Sequence, residues 1–547
     1  MRRDVAALAG ASFDVVVLGG GMHGAWTALL AARSGARVAL LERDDFGSGT
    51  SANSLKILHG GLRYLQHLDL RRMRASIDAR REQARCFPHL FEPQPFLMPL
   101  RGSGLRSPWV LGPALAANDI ISFDRNRGVA PGARLPRGRL LSRRRCAAEM
   151  APLVNDRPAA GALWWDGVAR DSGRLVLEAV LEAARAGAVV ANHVRAARIL
   201  HAGGRVHGVA FTDRLTGRTA ELHATQVVNA TGPWAAGLAR ESSLPLHALP
   251  QAWIGAMNVV LRRSLGTSMG VALSAPQEKL DQDAVFRRSA RELFFVPWRG
   301  RTLVGTDYFP VLSVESGSQG PPAGAVAGFI AQAAALAPRA QLSTADVALV
   351  HWGLMPLELP GDPLPRKTPL VLTDRVSNGV EGLVTVIGEK LTSAPVVARR
   401  VLAGLGIQAP QLPAAGPAPE AKRIPGRLPD TAVERLRRRY GRRWLEVAGS
   451  ADGDDPQLFE PLVPEHPVLE IELLHAIRQE MAITLADLVR RTGLGDAGPP
   501  GAAVLQALCA WVISHAGWNA DGVAQEAAAL DDWFASRQCR PEEYAAP

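Results

Sequence analysis

The sequence predicts an α/β protein in three parts: a nucleotide-binding βαβ domain, a domain built on an antiparallel sheet, and an all-helical C-terminal domain. Three observations lead there. A short apolar run, Phe13–Leu18, ends in Gly19-Gly20-Gly21-Met22-His23-Gly24, opens a small-residue helix at Ala25–Arg33 and is followed by a second apolar strand, Ala36–Leu41. From about Leu244 to Pro365 short strand segments recur, at Met257–Leu261, Leu293–Val296 and Thr302–Val304. Beyond prolines at 410, 413, 417, 419, 425 and 429, the segments Thr431–Val447, Val468–Arg491 and Ala502–His515 have helical period and no strand signal.

A length of 547 residues fits two or three cores rather than one. The expected division is a discontinuous nucleotide-binding domain over 1–240 and 366–409, a sheet domain over 241–365, a proline-stiffened linker over 410–429 and a helical domain over 430–547. Within the first part a helix is expected around Leu68–Arg85, loops at Pro88–Pro99 and Pro131–Pro136, a helix at Leu175–Ala186 and strands at Val189–Val194 and Ala224–Asn229. A late strand, Gly382–Ile387, should lead into a helix from about Lys390.

Bulk properties remove several functional classes. The longest apolar stretches, such as Val504–Ile513, fall short of the ~18 residues of a membrane span. The first strand follows the N-terminus so closely that no secretory signal is expected, which points to the cytoplasm. The four cysteines, Cys86, Cys146, Cys509 and Cys539, have neither metal-ligand nor disulfide-framework spacing, so no metal is expected. The net charge of +10 is carried almost entirely by arginine, with lysine only at 56, 279, 367, 390 and 422. Those arginines are scattered and lack any nucleic-acid-binding motif. The densest cluster, Arg71–Arg85, reads as a solvated helix face or, less readily, as a membrane-contact surface.

The glycine block is a G-x-G-x-x-G fingerprint between a strand and a helix. Gly19 permits the tight turn, Gly21 lets a pyrophosphate approach the backbone, and Gly24 lets the helix pack on the strand. The helix N-terminus offers N–H groups to phosphate. Glu42 ends the second strand, where a carboxylate accepts from ribose hydroxyls and repels a 2′-phosphate. FAD is favoured over NAD on three counts. The fingerprint begins almost at the N-terminus. The strand ending at Asn229 runs into Ala230-Thr231-Gly232. Gly388-Glu389-Lys390-Leu391-Thr392 then opens a late helix, whose N-terminus suits the charge that builds on a reduced flavin.

Further motifs extend this reading. Thr50-Ser51-Ala52-Asn53-Ser54-Leu55-Lys56-Ile57-Leu58-His59-Gly60-Gly61-Leu62-Arg63-Tyr64-Leu65, Val228–Trp234, Gly388-x-Lys390-Leu391-Thr392 and Ile477–Thr492 occur in order along nearly the whole chain. This set closely resembles the FAD-dependent glycerol-3-phosphate dehydrogenases. The resemblance implies a glutathione-reductase-like FAD domain, a sheet-based substrate domain, and oxidation of sn-glycerol 3-phosphate to dihydroxyacetone phosphate by hydride transfer to flavin N5. Electrons then pass to a quinone or oxygen, with the chain peripheral on a membrane face and a homodimer among the possible assemblies. By motif, the resemblance puts Arg63, Tyr64 and Arg366 in the substrate pocket and Lys390 beside flavin and substrate oxygens. Thr50, Ser51, Leu58, His59, Gly60, Val194, Gly232, Gly388, Leu391 and Thr392 are expected around the cofactor. The chemistry suits these types: a guanidinium forks onto a phosphate, and an ammonium stabilises a developing alkoxide.

The chain departs from the family pattern at three places. Met355, in Gly353-Leu354-Met355-Pro356-Leu357, stands where the family has a phosphate-gripping arginine. Met257 stands where it has a histidine, and Ala394 and Pro395 replace the tyrosine and arginine that follow Lys-Leu-Thr. Either another cation, such as Arg366 or Lys367, covers the phosphate, or the substrate is a different polyol, hydroxy acid or amine. A flavin-binding protein without turnover is the third reading, and the cations retained at Arg63 and Lys390 argue against it.

Overall fold

A computed structural model describes residues 1, 3–62, 64, 68–276, 290–420, 428–450, 456–464 and 466–539. Its first sheet has the strand order Leu370–Leu372, Leu383–Ile387, Thr219–Asn229, Ser12–Leu18, Val38–Leu41, Val189–Ala191, and the hairpin Val194–Ala202/Arg205–Asp213 adds to Thr219–Asn229. Ser12–Leu18 is parallel to both neighbours, with Leu18 opposite Leu41 on one side and Asn229 on the other. Strand order therefore reverses at Leu18, and the crevice beyond the strand ends there is where open α/β sheets bind ligands. The uninterrupted apolar run Val15–Leu18 is what a strand covered on both faces requires, and all four residues are buried. The helices Met22–Arg33, Ser172–Arg185 and Ala394–Gly404 pack together on one face of this sheet.

Among the described residues the second sheet has nine strands, in the order Val347–Pro356, Trp253–Leu261, Arg301–Pro310, Ala290–Trp298, Gly270–Pro276, Phe91–Leu100, Ala160–Ala169, Ile57–Leu58, with Arg139–Leu141 added to Ala160–Ala169. Four of these come from before residue 240, so this sheet is not confined to 241–365. It is antiparallel except where Gly270–Val271 runs parallel to Phe96–Leu97. The expected loop at Pro88–Pro99 is instead largely strand, Phe91–Leu100, paired in full with Ala160–Ala169. Pro93, Pro95 and Pro99 share one parity, so their missing N–H groups fall on one edge and leave the other edge able to form its ladder.

The C-terminal part is helical, with Asp430–Tyr440, Glu470–Gln479, Leu485–Thr492, Ala502–Ala516 and Ala520–Ala535, and it also carries a small hairpin, Pro461–Val463/His466–Leu469. The expected helix Val468–Arg491 is two helices. The chain turns at Met481, whose φ is +55°, and restarts at Thr484, which caps the next helix in a reciprocal box with Asp487. The helix expected from Lys390 starts at Ala394, leaving Gly388–Ser393 as a connecting loop. The Arg71–Arg85 cluster is mostly folded against the protein rather than solvated. Arg74 and Arg81 pair with Asp124, and Arg80 is buried against Asp166.

Candidate active site

The carboxyl ends of the first sheet open onto a cavity of about 1270 Å³ that reaches to the face of the second sheet. At its first-sheet end stand Gly19, Gly21 and Met22, then Glu42–Asp44, Val194–Ala196 and Ala230–Trp234. In the middle lie Ser48–Ser51, Asn53 and His59, facing Gly388–Leu391. At the far end are Tyr64, Arg72, Asn258, Thr306, Tyr308, Met355, Arg366 and Lys367.

The first-sheet end fits a dinucleotide. Gly19 has φ +100°, and a Cβ on Gly24 would run into the Gly19 carbonyl, so strand and helix are in direct backbone contact. The free end of the helix Met22–Arg33 faces the cavity, with Ser51 accepting from Met22 N–H at 3.0 Å. Each Glu42 oxygen accepts one backbone N–H, from Gly20 at 2.6 Å and Asp44 at 2.8 Å. The carboxylate is held at the strand end with lone pairs left for ribose hydroxyls. Burial pushes the Glu42 carboxyl up to about 7, outweighing those two hydrogen bonds. His23, in the fingerprint, is half-buried with a buried, unpartnered Nε2, and desolvation holds its imidazole down to about 4.

In the middle of the cavity, Thr392 Oγ1 accepts from His59 N–H at 3.0 Å, joining the loop after Ile57–Leu58 to the loop after Leu383–Ile387. Gly60 N–H donates to Asp166 at 2.7 Å, and Asp166 also takes Arg80 and lies 3.6 Å from His59 Nδ1. Burial raises the Asp166 carboxyl, but His59 and Arg80 outweigh it and keep the group below its usual range. His351 Nδ1 lies 3.1 Å from Asn53 Oδ1, and Asn53 Nδ2 donates to the carbonyl of Gly49 at 2.9 Å, which shapes the Ser48–Asn53 loop.

Cations gather at the far end. Lys390 donates to the Tyr64 hydroxyl, and the Arg72 guanidinium lies 4.6 Å from the Tyr64 ring centre while donating to the Lys367 carbonyl. Arg366 N–H bonds to Pro356 O at 2.7 Å, which delivers Arg366 beside Met355. Arg366 pairs with Glu358 at 3.1 Å through Nη1, and its buried Nε has no partner.

Most expected site residues line this one cavity: Gly19, Gly21, Glu42, Thr50, Ser51, His59, Tyr64, Val194, Gly232, Arg366, Gly388, Lys390 and Leu391. Gly24, Leu58, Gly60 and Thr392 stand behind it as supports. Arg63 lies outside the described residues. Met257 is no pocket residue. It is buried in the core of the second sheet, while Ala256 and Asn258 on either side line the cavity. Arg72, Asn258, Thr306 and Tyr308 were not expected. Arg72 carried no signal beyond membership of an arginine-rich helix, and the other three reach the site through sheet topology.

The model of the FAD dependent oxidoreductase family matches residues 14–403, and that of the C-terminal domain of alpha-glycerophosphate oxidase matches residues 399–523. A glycerol-3-phosphate dehydrogenase of Synechocystis sp. is 29% identical, covering 93% of this chain and 94% of its own. One of Mycobacterium leprae is 29% identical over 94% of this chain and 87% of its own. Among solved structures, the glycerol-3-phosphate dehydrogenase from Bacillus halodurans complexed with FAD superimposes with a TM-score of 0.69 at 21% identity, covering 97% of this chain and 96% of that one, so the fold is shared.

Proposed function

The chain belongs to the family of FAD-dependent oxidoreductases, and from that membership we propose that it oxidises sn-glycerol 3-phosphate to dihydroxyacetone phosphate. FAD, held at the glycine turn and Glu42, supplies the hydride acceptor at its N5 when bound. The observation that carries the substrate reading is the cation cluster at the far end of the cofactor cavity. Arg366, with an unpartnered buried Nε, offers a fork to a phosphate, and Arg72 and Lys367 lie on the same wall. Lys390, tied to Tyr64, is the group suited to hold the substrate alcohol oxygen as its proton leaves.

A second reading is supported by Met355, which lines the cavity where an arginine would grip phosphate: oxidation of a less anionic polyol, hydroxy acid or amine. Arg366, hydrogen-bonded to the next residue, Pro356, favours the first reading by bringing a cation to the same place. The deciding experiment is an anaerobic titration of the purified holoenzyme with glycerol 3-phosphate, following flavin absorbance. Bleaching at modest concentration supports the first reading. No bleaching, with dithionite still reducing the flavin, rejects it in favour of the second.

A peripheral membrane position, with a quinone as acceptor, is part of the proposal. Among the described residues no helix is long and apolar enough to cross a membrane. The helix Pro108–Ile121 nevertheless turns Trp109, Pro113, Ala116 and Ile120 outward, while its Val110, Leu111 and Ala114 border the cavity. An outward apolar stripe beside the cavity mouth suits contact with lipid and entry of an apolar acceptor.

A further inference from the structure

Among the described residues, none after Leu391 lines the cavity, so the helical C-terminal domain touches neither cofactor nor substrate space. Its helix Leu485–Thr492 nevertheless presses on the outside of the wall that faces the adenosine end. Arg491 grips Asp45 with both terminal nitrogens, each at 2.6 Å, and both side chains are buried. Asp45 sits in the middle of the turn that contributes Glu42, Arg43, Asp44, Gly47 and Ser48 to the cavity, but itself points away from it.

One turn earlier on the same helix, Asp487 lies 2.9 Å from His193 Nε2. His193 precedes Val194, the first lining residue of the neighbouring strand, and lies in the left-handed region with a φ of +53°. Its N–H donates to Asp44 O at 2.8 Å, and Val194 N–H donates to Glu42 O at 2.8 Å, so the two loops are tied together. Asn192 completes the junction, donating to Asp45 at 3.2 Å and to Met481 O of the C-terminal domain at 3.0 Å. Arg491 is anchored in its own domain by Nε donating to Glu480 O at 3.0 Å.

We infer that the C-terminal domain sets FAD affinity from outside the site, with Arg491 and Asp487 acting as positioning residues for the turn that carries Glu42 and for the Asn192–Val194 loop. The geometry makes this specific. A forked, buried arginine–carboxylate pair fixes both distance and plane, and a loop held before binding need not be ordered by the cofactor. Without the pair, Glu42 keeps its chemistry but loses its fixed place.

The test measures the FAD dissociation constant of apo-protein by flavin fluorescence quenching. The variant Asp45→Asn/Arg491→Met removes the pair without leaving one buried charge alone. Arg491→Lys keeps the charge and loses the fork. The control, Arg435→Met/Glu472→Gln, removes an ion pair wholly inside the C-terminal domain, between the helices Asp430–Tyr440 and Glu470–Gln479. The expected result is a 10- to 100-fold weaker FAD dissociation constant for the first variant, a smaller loss for Arg491→Lys, and a value within twofold of wild type for the control even where its apo-protein melts lower. Equal losses in variant and control, or no loss in the variant, overturn the inference. If the double variant does not accumulate as folded protein, Asp487→Asn at the second contact is measured against the same control, with a loss supporting the inference and an unchanged value overturning it.

Discussion

Lys390 donates to the Tyr64 hydroxyl from a loop 326 residues away, and its Nζ lies 4.6 Å from the Tyr64 ring centre. An ammonium aimed at a phenolic oxygen keeps that oxygen as an acceptor and leaves its own remaining donors to face the cavity. Under the proposed function both residues serve a substrate hydroxyl whose charge grows as its proton leaves. The prediction is that Lys390→Met slows flavin reduction by glycerol 3-phosphate by about 100-fold or more, as loss of one preorganised donor does. Tyr64→Phe should cost less, because the ammonium remains. Stopped-flow absorbance under anaerobic conditions measures both.

Under the proposed function, Arg366, which lines the cavity with Met355, is the cation that reads the substrate phosphate. Removing one partner of a buried guanidinium–phosphate contact costs on the order of 2–5 kcal/mol, or roughly 30-fold or more in affinity. Arg366→Ala should therefore raise KM for glycerol 3-phosphate by about that factor and leave KM for glycerol almost unchanged. Parallel steady-state kinetics with the two substrates check it. Equal effects on both would show that Arg366 does not read the phosphate.

The glycine turn and Glu42 are legible in the sequence from local geometry, and the Thr50–Leu65 block, Arg366 and Lys390 through their resemblance to family motifs; most of these residues line one cavity. What was hidden depends on long-range placement. Met257 looked like a pocket position until strand parity turned it into the core and left Ala256 and Asn258 facing the cavity. Prolines at 93, 95 and 99 suggest a loop in Phe91–Leu100, yet their shared parity leaves one edge free to pair. The arginines of Leu70–Cys86 looked solvated because Asp124 and Asp166, their partners, are distant in sequence. Arg72 joins the site only because that helix lies against the loop carrying Lys367.

Glu42 predicts a pH dependence of cofactor binding. Burial raises its carboxyl from an ordinary 4.5 to about 7, so the unloaded protein holds a proton there at mildly acid pH. Ribose hydroxyls donate to the ionised form and favour it. Loading FAD therefore releases a proton, and affinity rises with pH until about 7 and levels off above. Below 7 the FAD dissociation constant should worsen by up to about tenfold per pH unit. Glu42→Gln should weaken binding and flatten the profile. Fluorescence titrations from pH 5 to 8 measure the slope, and a wild-type profile as flat as the variant's would remove Glu42 from this role.

The outward face of Pro108–Ile121 predicts lipid binding. Trp109 is 86% exposed, Ile120 73% and the following Phe123 82%. Burying a side chain of this size contributes about 1.5–3 kcal/mol, which the fold of a single chain leaves unused. Arg101, in the segment leading into this helix, and Arg139, on the strand Arg139–Leu141 that packs against it, are exposed, and basic side chains beside an apolar stripe are the charge pattern that anionic headgroups complement. Wild-type protein should co-sediment with vesicles containing anionic lipid and less with neutral ones, and added salt should weaken the binding. Trp109→Ser/Phe123→Ser should reduce the partition coefficient by about tenfold or more while turnover with a water-soluble acceptor is retained. Binding that the double variant does not change would place the lipid contact elsewhere on the molecule, and the apolar helix would then need another partner.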